Sequence, residues 1–146
     1  MGTAANQHLP FDKYAQEAQA FLNKLSEDLG HKEEKQRTLI ILRAVLHTVR
    51  DRITIAESFD LMSQLPQFLR GIYSEGWKFS EKPPKRYKTI EEMKTYVKEE
   101  QAQLGEEEFN WNLSTAEIIS TVLSSLKQYL GKGQMEHIRR QMPLEV

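Results

Sequence analysis

Leu39-Ile40-Ile41-Leu42-Arg43-Ala44-Val45-Leu46-His47-Thr48-Val49-Arg50-Asp51-Arg52-Ile53 is the most apolar stretch of the chain. Its apolar residues recur at intervals of three and four. Leu39, Leu42, Val45, Leu46, Val49 and Ile53 share one face of a helix, and Ile40 and Ile41 widen that face. A strand would alternate with a period of two, which this stretch does not do. The pattern predicts a helix over about 33–53. The broad apolar face predicts that it lies at the centre of the fold.

The same spacing extends outward on both sides. Upstream, Tyr14, Ala18, Phe21, Leu22, Leu25 and Leu29 form a stripe over about 12–29, and Gly30 stands where a helix-ending glycine belongs. Downstream, Thr54-Ile-Ala-Glu57 has the capping-box pattern and opens a helix carrying Phe59, Met62 and Leu65. Pro66 suits the start of a short helix over about 67–73. Thr89-Ile-Glu-Glu92 opens a helix bearing Ile90, Met93, Tyr96, Val97 and Leu104. Ser114-Thr-Ala-Glu117 opens another, bearing Ile118, Ile119, Val122, Leu123, Leu126 and Leu130. A last short helix is expected over about 134–142. No run reads as a strand, so the fold class is an all-α bundle of six to seven helices.

Sliding the chain on itself by 75 to 77 residues aligns Leu29-Gly30 with Leu104-Gly105, Val45-Leu46 with Val122-Leu123, and Gln64-Leu65-Pro66 with Gln141-Met142-Pro143. The expectation is one helical domain over 1–146, made of two similar three-helix repeats packed with pseudo-twofold symmetry. Repeat one covers about 12–74, a connecting segment 75–88, and repeat two about 89–143. Three short helices make a thin core alone, whereas two such sets facing each other make an adequate one.

Composition limits the chemistry. The 146 residues are 39% hydrophobic and 28% charged, with net charge -1 and mean hydropathy -0.61. Leu, Ile, Val and Phe make up about a quarter of the chain, above the level typical of disordered sequences. No cysteine is present, which excludes disulfides, thiolate metal sites and a cysteine nucleophile. The longest apolar run is Leu39–Leu42, far short of the roughly 20 residues that span a bilayer. Met1–Pro10 has neither a basic nor an apolar leader region, so the expected location is the cytoplasm.

Ala44-Val-Leu-His-Thr-Val-Arg-Asp-Arg-Ile53, followed by Gln64-Leu-Pro-Gln-Phe-Leu-Arg-Gly-Ile-Tyr-Ser-Glu-Gly-Trp77, resembles the prokaryotic family known as domain of unknown function 2267. The resemblance runs from about Tyr14 to Met142 and is most specific over Gln64–Trp77. The second half departs from it, with an apparent insertion over Glu106–Asn112. The resemblance implies a bacterial, soluble helical protein and brings no activity or catalytic residue with it.

Chemistry-bearing residues are few. His8, His31, His47 and His137 show no spacing that would put two imidazoles on one helical face. The doublets Glu33-Glu34, Glu91-Glu92 and Glu99-Glu100 are adjacent residues that point about 100° apart on a helix, so they are not spatial pairs. No phosphate-binding glycine loop or nucleophile elbow is present. No catalytic residue, metal or cofactor is expected, and the chain reads as non-enzymatic.

Two irregular segments stand out. Over Lys78–Lys88 five cations, among them Lys82, Lys85 and Arg86, face one acid, for a net +4, with Trp77, Phe79 and Tyr87 interleaved. The stretch Glu91–Glu108 that follows is net -5. Phe109-Asn-Trp111 lies in the acidic insertion. Aromatic anchors are favoured at protein contacts. The leading reading is therefore a protein-interaction or scaffolding module, self-association included, with Trp77, Phe79, Phe109 and Trp111 as contact candidates. The alternative is nucleic-acid or anion binding through 77–88, in which aromatics stack on bases and cations track phosphates. No membrane partner is expected.

Overall fold

The computed structural model describes residues 10–79, 87–103 and 111–141. Among these the chain is all α, with seven helices, one 3-10 turn and no strand. In chain order they are α1 (Pro10–Asp28), α2 (Lys35–Arg50), α3 (Ile55–Ser63), α4 (Gln67–Ser74), α5 (Ile90–Gln103), α6 (Thr115–Ser125), the 3-10 turn (Leu126–Gln128) and α7 (Lys132–Gln141).

The three expected N-termini form as the sequence predicts. Thr54 caps α3 in a full capping box: its hydroxyl accepts from the Glu57 backbone N–H, and the Glu57 carboxylate accepts from the Thr54 backbone N–H. Thr89 and Ser114 accept in the same way from the N–H groups of Glu92 and Glu117. There the glutamates bond the capping hydroxyl itself. Each cap contributes about 1 kcal/mol.

Helix α2 is the hub. It packs against α1, α4, α5 and α6, and every residue from Ala44 to Arg50 is buried. A helix buried all round is a core helix, as its broad apolar face predicts. One cluster of buried side chains runs from Phe21 through α2 to Ile138 in α7.

Two apolar stripes depart from expectation. Only the C-terminal part of the α1 stripe, from Phe21 onward, is buried; Phe11 and Tyr14 are exposed. In α3 the inward face is Ser58 and Leu61, continued by Leu65, so Phe59 turns outward. Ser58 sits at this inner face because its hydroxyl meets the buried Tyr73 hydroxyl of α4 at 2.7 Å.

Bounds in the two halves keep part of the sequence spacing. Helices α1 and α5 end 75 residues apart, and α3 and α7 start 77 apart. The packing is unequal, however. The sequence match sets α6 against α2, yet α6 buries only Ile118, Ile119, Val122 and Leu123, on one side. An internal repeat rests on the sequence match alone. Leu104, Gly105, Met142 and Pro143, which carry part of that match, lie outside the described residues.

Two arginines, Arg50 buried and Arg70 half-buried, close the seams between short helices. The Arg50 guanidinium donates to the carbonyls of Tyr73 and Glu75 at the end of α4 (2.9 and 2.7 Å) and to the Asp51 carboxylate. Arg70 donates to the carbonyls of Met62 and Leu65 at the end of α3 (2.9 and 2.8 Å). Carbonyls at a helix end are left over from the helical pattern, and a planar fork of donors satisfies several at once.

Candidate interaction surface

The C-terminal end of α2 organises one end of the bundle. Arg50 holds the end of α4, and Arg52 donates to the Tyr87 carbonyl at 3.0 Å while lying over the Tyr87 ring. Tyr87 is fully buried and donates its hydroxyl to the Thr48 carbonyl at 3.0 Å. Burial pushes the Tyr87 phenol far above its usual pKa, against the pull of Arg52. Burial does the same to Tyr73, opposed by the Ser58 hydrogen bond. Both phenols are therefore neutral structural groups.

From this base a run of aromatic rings reaches the surface. Trp77 stands edge-on to Tyr73 at 5.9 Å, tilts against Phe59 at 5.7 Å and stacks with Phe79 at 4.5 Å. On the other side Tyr87 meets Tyr96 of α5 at 5.4 Å. Two backbone features bring the chain round. Gly76 has φ +65°, where a Cβ is strained, and Phe79 itself has φ +49°. Trp77 is half-buried. Phe59 is 53% exposed and Phe79 57% exposed, so the outer rings face solvent. Large apolar side chains clustered in water mark contact surfaces more often than singly scattered ones do.

The second tryptophan is placed differently. Trp111 is buried at 9% exposure and stacks flat on His31, with ring centroids 4.1 Å apart and planes 8° apart. Its indole N–H donates to Glu34 Oε2 at 2.6 Å. Glu34 also accepts from Arg37 at 2.9 Å and lies 2.9 Å from His31 Nδ1. Trp111 is thus held against the start of α2 and is not a surface anchor. Its polar N–H finds an internal acceptor, which is what a buried indole needs.

Of the other sequence candidates, Lys82, Lys85, Arg86 and Phe109 lie outside the described residues. Phe59 was missed as a surface residue because Phe59, Met62 and Leu65 read as an inward stripe. The competing spacing Ser58, Leu61, Leu65 was the available signal, masked by the polar Ser58. His47, off its helix's main stripe, is buried. It bonds the Ile72 carbonyl through Nε2 at 2.7 Å, and its Nδ1 lies 3.6 Å from Glu100 of α5. Glu100 of α5 is half-buried beside that imidazole.

Helix α7 is joined to α3 by polar contacts at both ends. Gln64 accepts from the Gly131 N–H at 2.9 Å, and His137 Nε2 meets Glu57 Oε2 at 2.6 Å. Burial works to raise the Glu57 pKa, but the Thr54 backbone and hydroxyl bonds and His137 together hold it below the ordinary value. Between α6 and α7 lies a cleft of about 20 Å³ lined by Leu123, Met135 and Ile138, room for a single water. Among the described residues no three metal-ligating side chains converge, and no helix is long and apolar enough to cross a membrane.

Fold and surface together define an all-α bundle with an exposed aromatic end. The family model described as "Uncharacterized conserved protein (DUF2267)" matches residues 18–146, and the chain belongs to that family. No curated protein matches it.

Proposed function

We propose that this chain is a non-enzymatic protein-interaction or scaffolding module and that its contact surface is the cluster Phe59, Trp77 and Phe79. The observation that carries the reading is the exposure of Phe59 and Phe79, both more than half open to solvent, over a half-buried tryptophan. The rings are presented by α3 and by a turn fixed through Arg50 and Tyr73, so the surface is preorganised. A cytoplasmic, bacterial setting goes with this reading, supported by the prokaryotic resemblance of 44–77.

Nucleic-acid or anion binding through 77–88 is the second reading. It has in its favour an open Phe79 ring beside the exposed Lys78. Against it, Tyr87 is buried and one face of Trp77 is covered by Phe79, so two of the three interleaved aromatics offer little to a base.

The test compares affinity capture by wild type with capture by Phe59→Ser and Phe79→Ser, after circular dichroism has shown both variants folded. A partner recovered by wild type and lost by both variants supports the reading. Equal recovery by all three removes it. Binding to mixed oligonucleotides at low salt that falls steeply as salt rises favours the second reading instead.

A further inference from the structure

Helix α1 is packed over only part of its length. Phe21 and Leu25 are buried, whereas every side chain from Phe11 to Gln16 is exposed. Each residue turns a helix by about 100°, so Phe11, Tyr14, Ala15 and Ala18 share the face that Phe21 and Leu25 carry into the core. Phe11 is 73% exposed and Tyr14 36%. The stripe that builds the core therefore runs on into water along a regular helix, which fixes the positions of its side chains relative to one another.

Along this face the order is large, large, small, small. Two copies laid antiparallel set Phe11 of one against Ala18 of the other, and Tyr14 against Ala15. Each ring then meets a methyl group. Laid parallel, ring would meet ring and alanine would meet alanine, leaving gaps beside crowded layers. Facing helices pack best when large and small residues alternate across the seam.

The charges favour the same arrangement. Lys13 and Glu17 lie on one flank of the face, one turn apart. A lysine four residues before a glutamate is the weaker order for a pair along one helix, and neither residue forms an ion pair among the described residues. Antiparallel pairing about a point between Tyr14 and Ala15 brings Lys13 of each copy, on its long stem, to the turn that carries Glu17 of the other. Parallel pairing would set like charges side by side. Shape and charge are thus both self-complementary, as a two-fold contact between identical chains requires.

We propose that the exposed half of α1 is a pairing surface for a second copy of this chain, met antiparallel across a two-fold axis between Tyr14 and Ala15. The contact is small, so the pair is weak and reversible, as interfaces at the low end of the size range are. It shares no residue with the cluster Phe59, Trp77 and Phe79, and the two surfaces are tested separately.

The test is sedimentation of the purified full chain over a concentration series. A monomer–dimer equilibrium is expected. Phe11→Ser and Tyr14→Ser each weaken it about tenfold or more, as loss of a contact anchor does, and Phe79→Ser leaves it unchanged. Lys13→Glu and Glu17→Lys each weaken it, and a chain carrying both regains it. Because the chain has no cysteine, introduced thiols report the orientation. The two copies of Ala15 lie beside the axis, whereas those of Ala18 lie about 10 Å apart along it, beyond the reach of a disulfide. Under mild oxidation Ala15→Cys is expected to crosslink and Ala18→Cys is not. Circular dichroism establishes that each variant is folded.

A wild-type chain that stays monomeric throughout the series overturns the proposal. So does a dimer that keeps its strength in Phe11→Ser and Tyr14→Ser, or one that Phe79→Ser alone abolishes. Crosslinking of Ala18→Cys as readily as Ala15→Cys overturns the antiparallel arrangement.

Discussion

Trp77 and Trp111 enter the fold from similar positions and end in opposite places. Each lies in an irregular segment just before or after a helix, and each looks from sequence like a contact anchor. Trp111 has Glu34 to accept its N–H and His31 to cover its ring, and it is buried. The Trp77 indole N–H has no acceptor among the described residues, and the rings it touches include the exposed Phe59 and Phe79. The difference teaches that an indole in a loop is structural when an internal acceptor awaits its N–H. Without one it remains at the surface.

The largest effect expected is at Trp111. Trp111→Ala empties a packed site and uncovers the His31 ring, and should lower stability by about 3 kcal/mol, read from urea unfolding. Trp77→Ala should cost markedly less. Equal losses would break the comparison. Next is the acceptor. Glu34→Ala removes the charged acceptor of the Trp111 N–H and should cost about 2 kcal/mol by the same measurement. If Trp111 were held by stacking alone, that loss would be near zero.

Most of the helical architecture was legible in the sequence, because periodicity, glycine stops and capping pairs are local signals. Thr54-x-x-Glu57 and the broad face of 39–53 were read correctly for that reason. The surface was less legible, because exposure depends on what lies opposite. Phe59 and Tyr14 sit on apolar stripes, yet both face water, since α3 turns on the Ser58–Tyr73 pair and α1 is buried only from Phe21. Trp111 could not be placed either, as Glu34 lies 77 residues away in the chain.

Smaller effects sharpen the Trp77 side. Gly76→Ala places a Cβ at φ +65° and should cost about 1 kcal/mol while weakening Trp77-dependent contacts. The α3–α7 junction should be acid-sensitive. The pKa of Glu57 is held below the ordinary 4.5 in the folded chain, so its contribution is full above that value and is lost as pH falls through the lower folded value. Unfolding midpoints measured from pH 6 down to pH 3 should fall more steeply for wild type than for Glu57→Gln. Parallel curves would show that the Glu57 pairing contributes nothing. Smallest of all is the stability change at the outer rings. Phe59→Ser and Phe79→Ser should each stay within about 0.5 kcal/mol of wild type in urea, because neither ring is buried in the core.

The most direct measurement reads the two tryptophans separately. Fluorescence of a Trp111→Phe chain reports Trp77, and that of a Trp77→Phe chain reports Trp111. On titration with a protein captured through Phe59 and Phe79, Trp77 emission should shift to the blue and lose quencher access as the aromatic end is covered. Trp111 emission should stay fixed until the chain unfolds. A shift at Trp111 with none at Trp77 would contradict the assignment of the aromatic end as the contact surface.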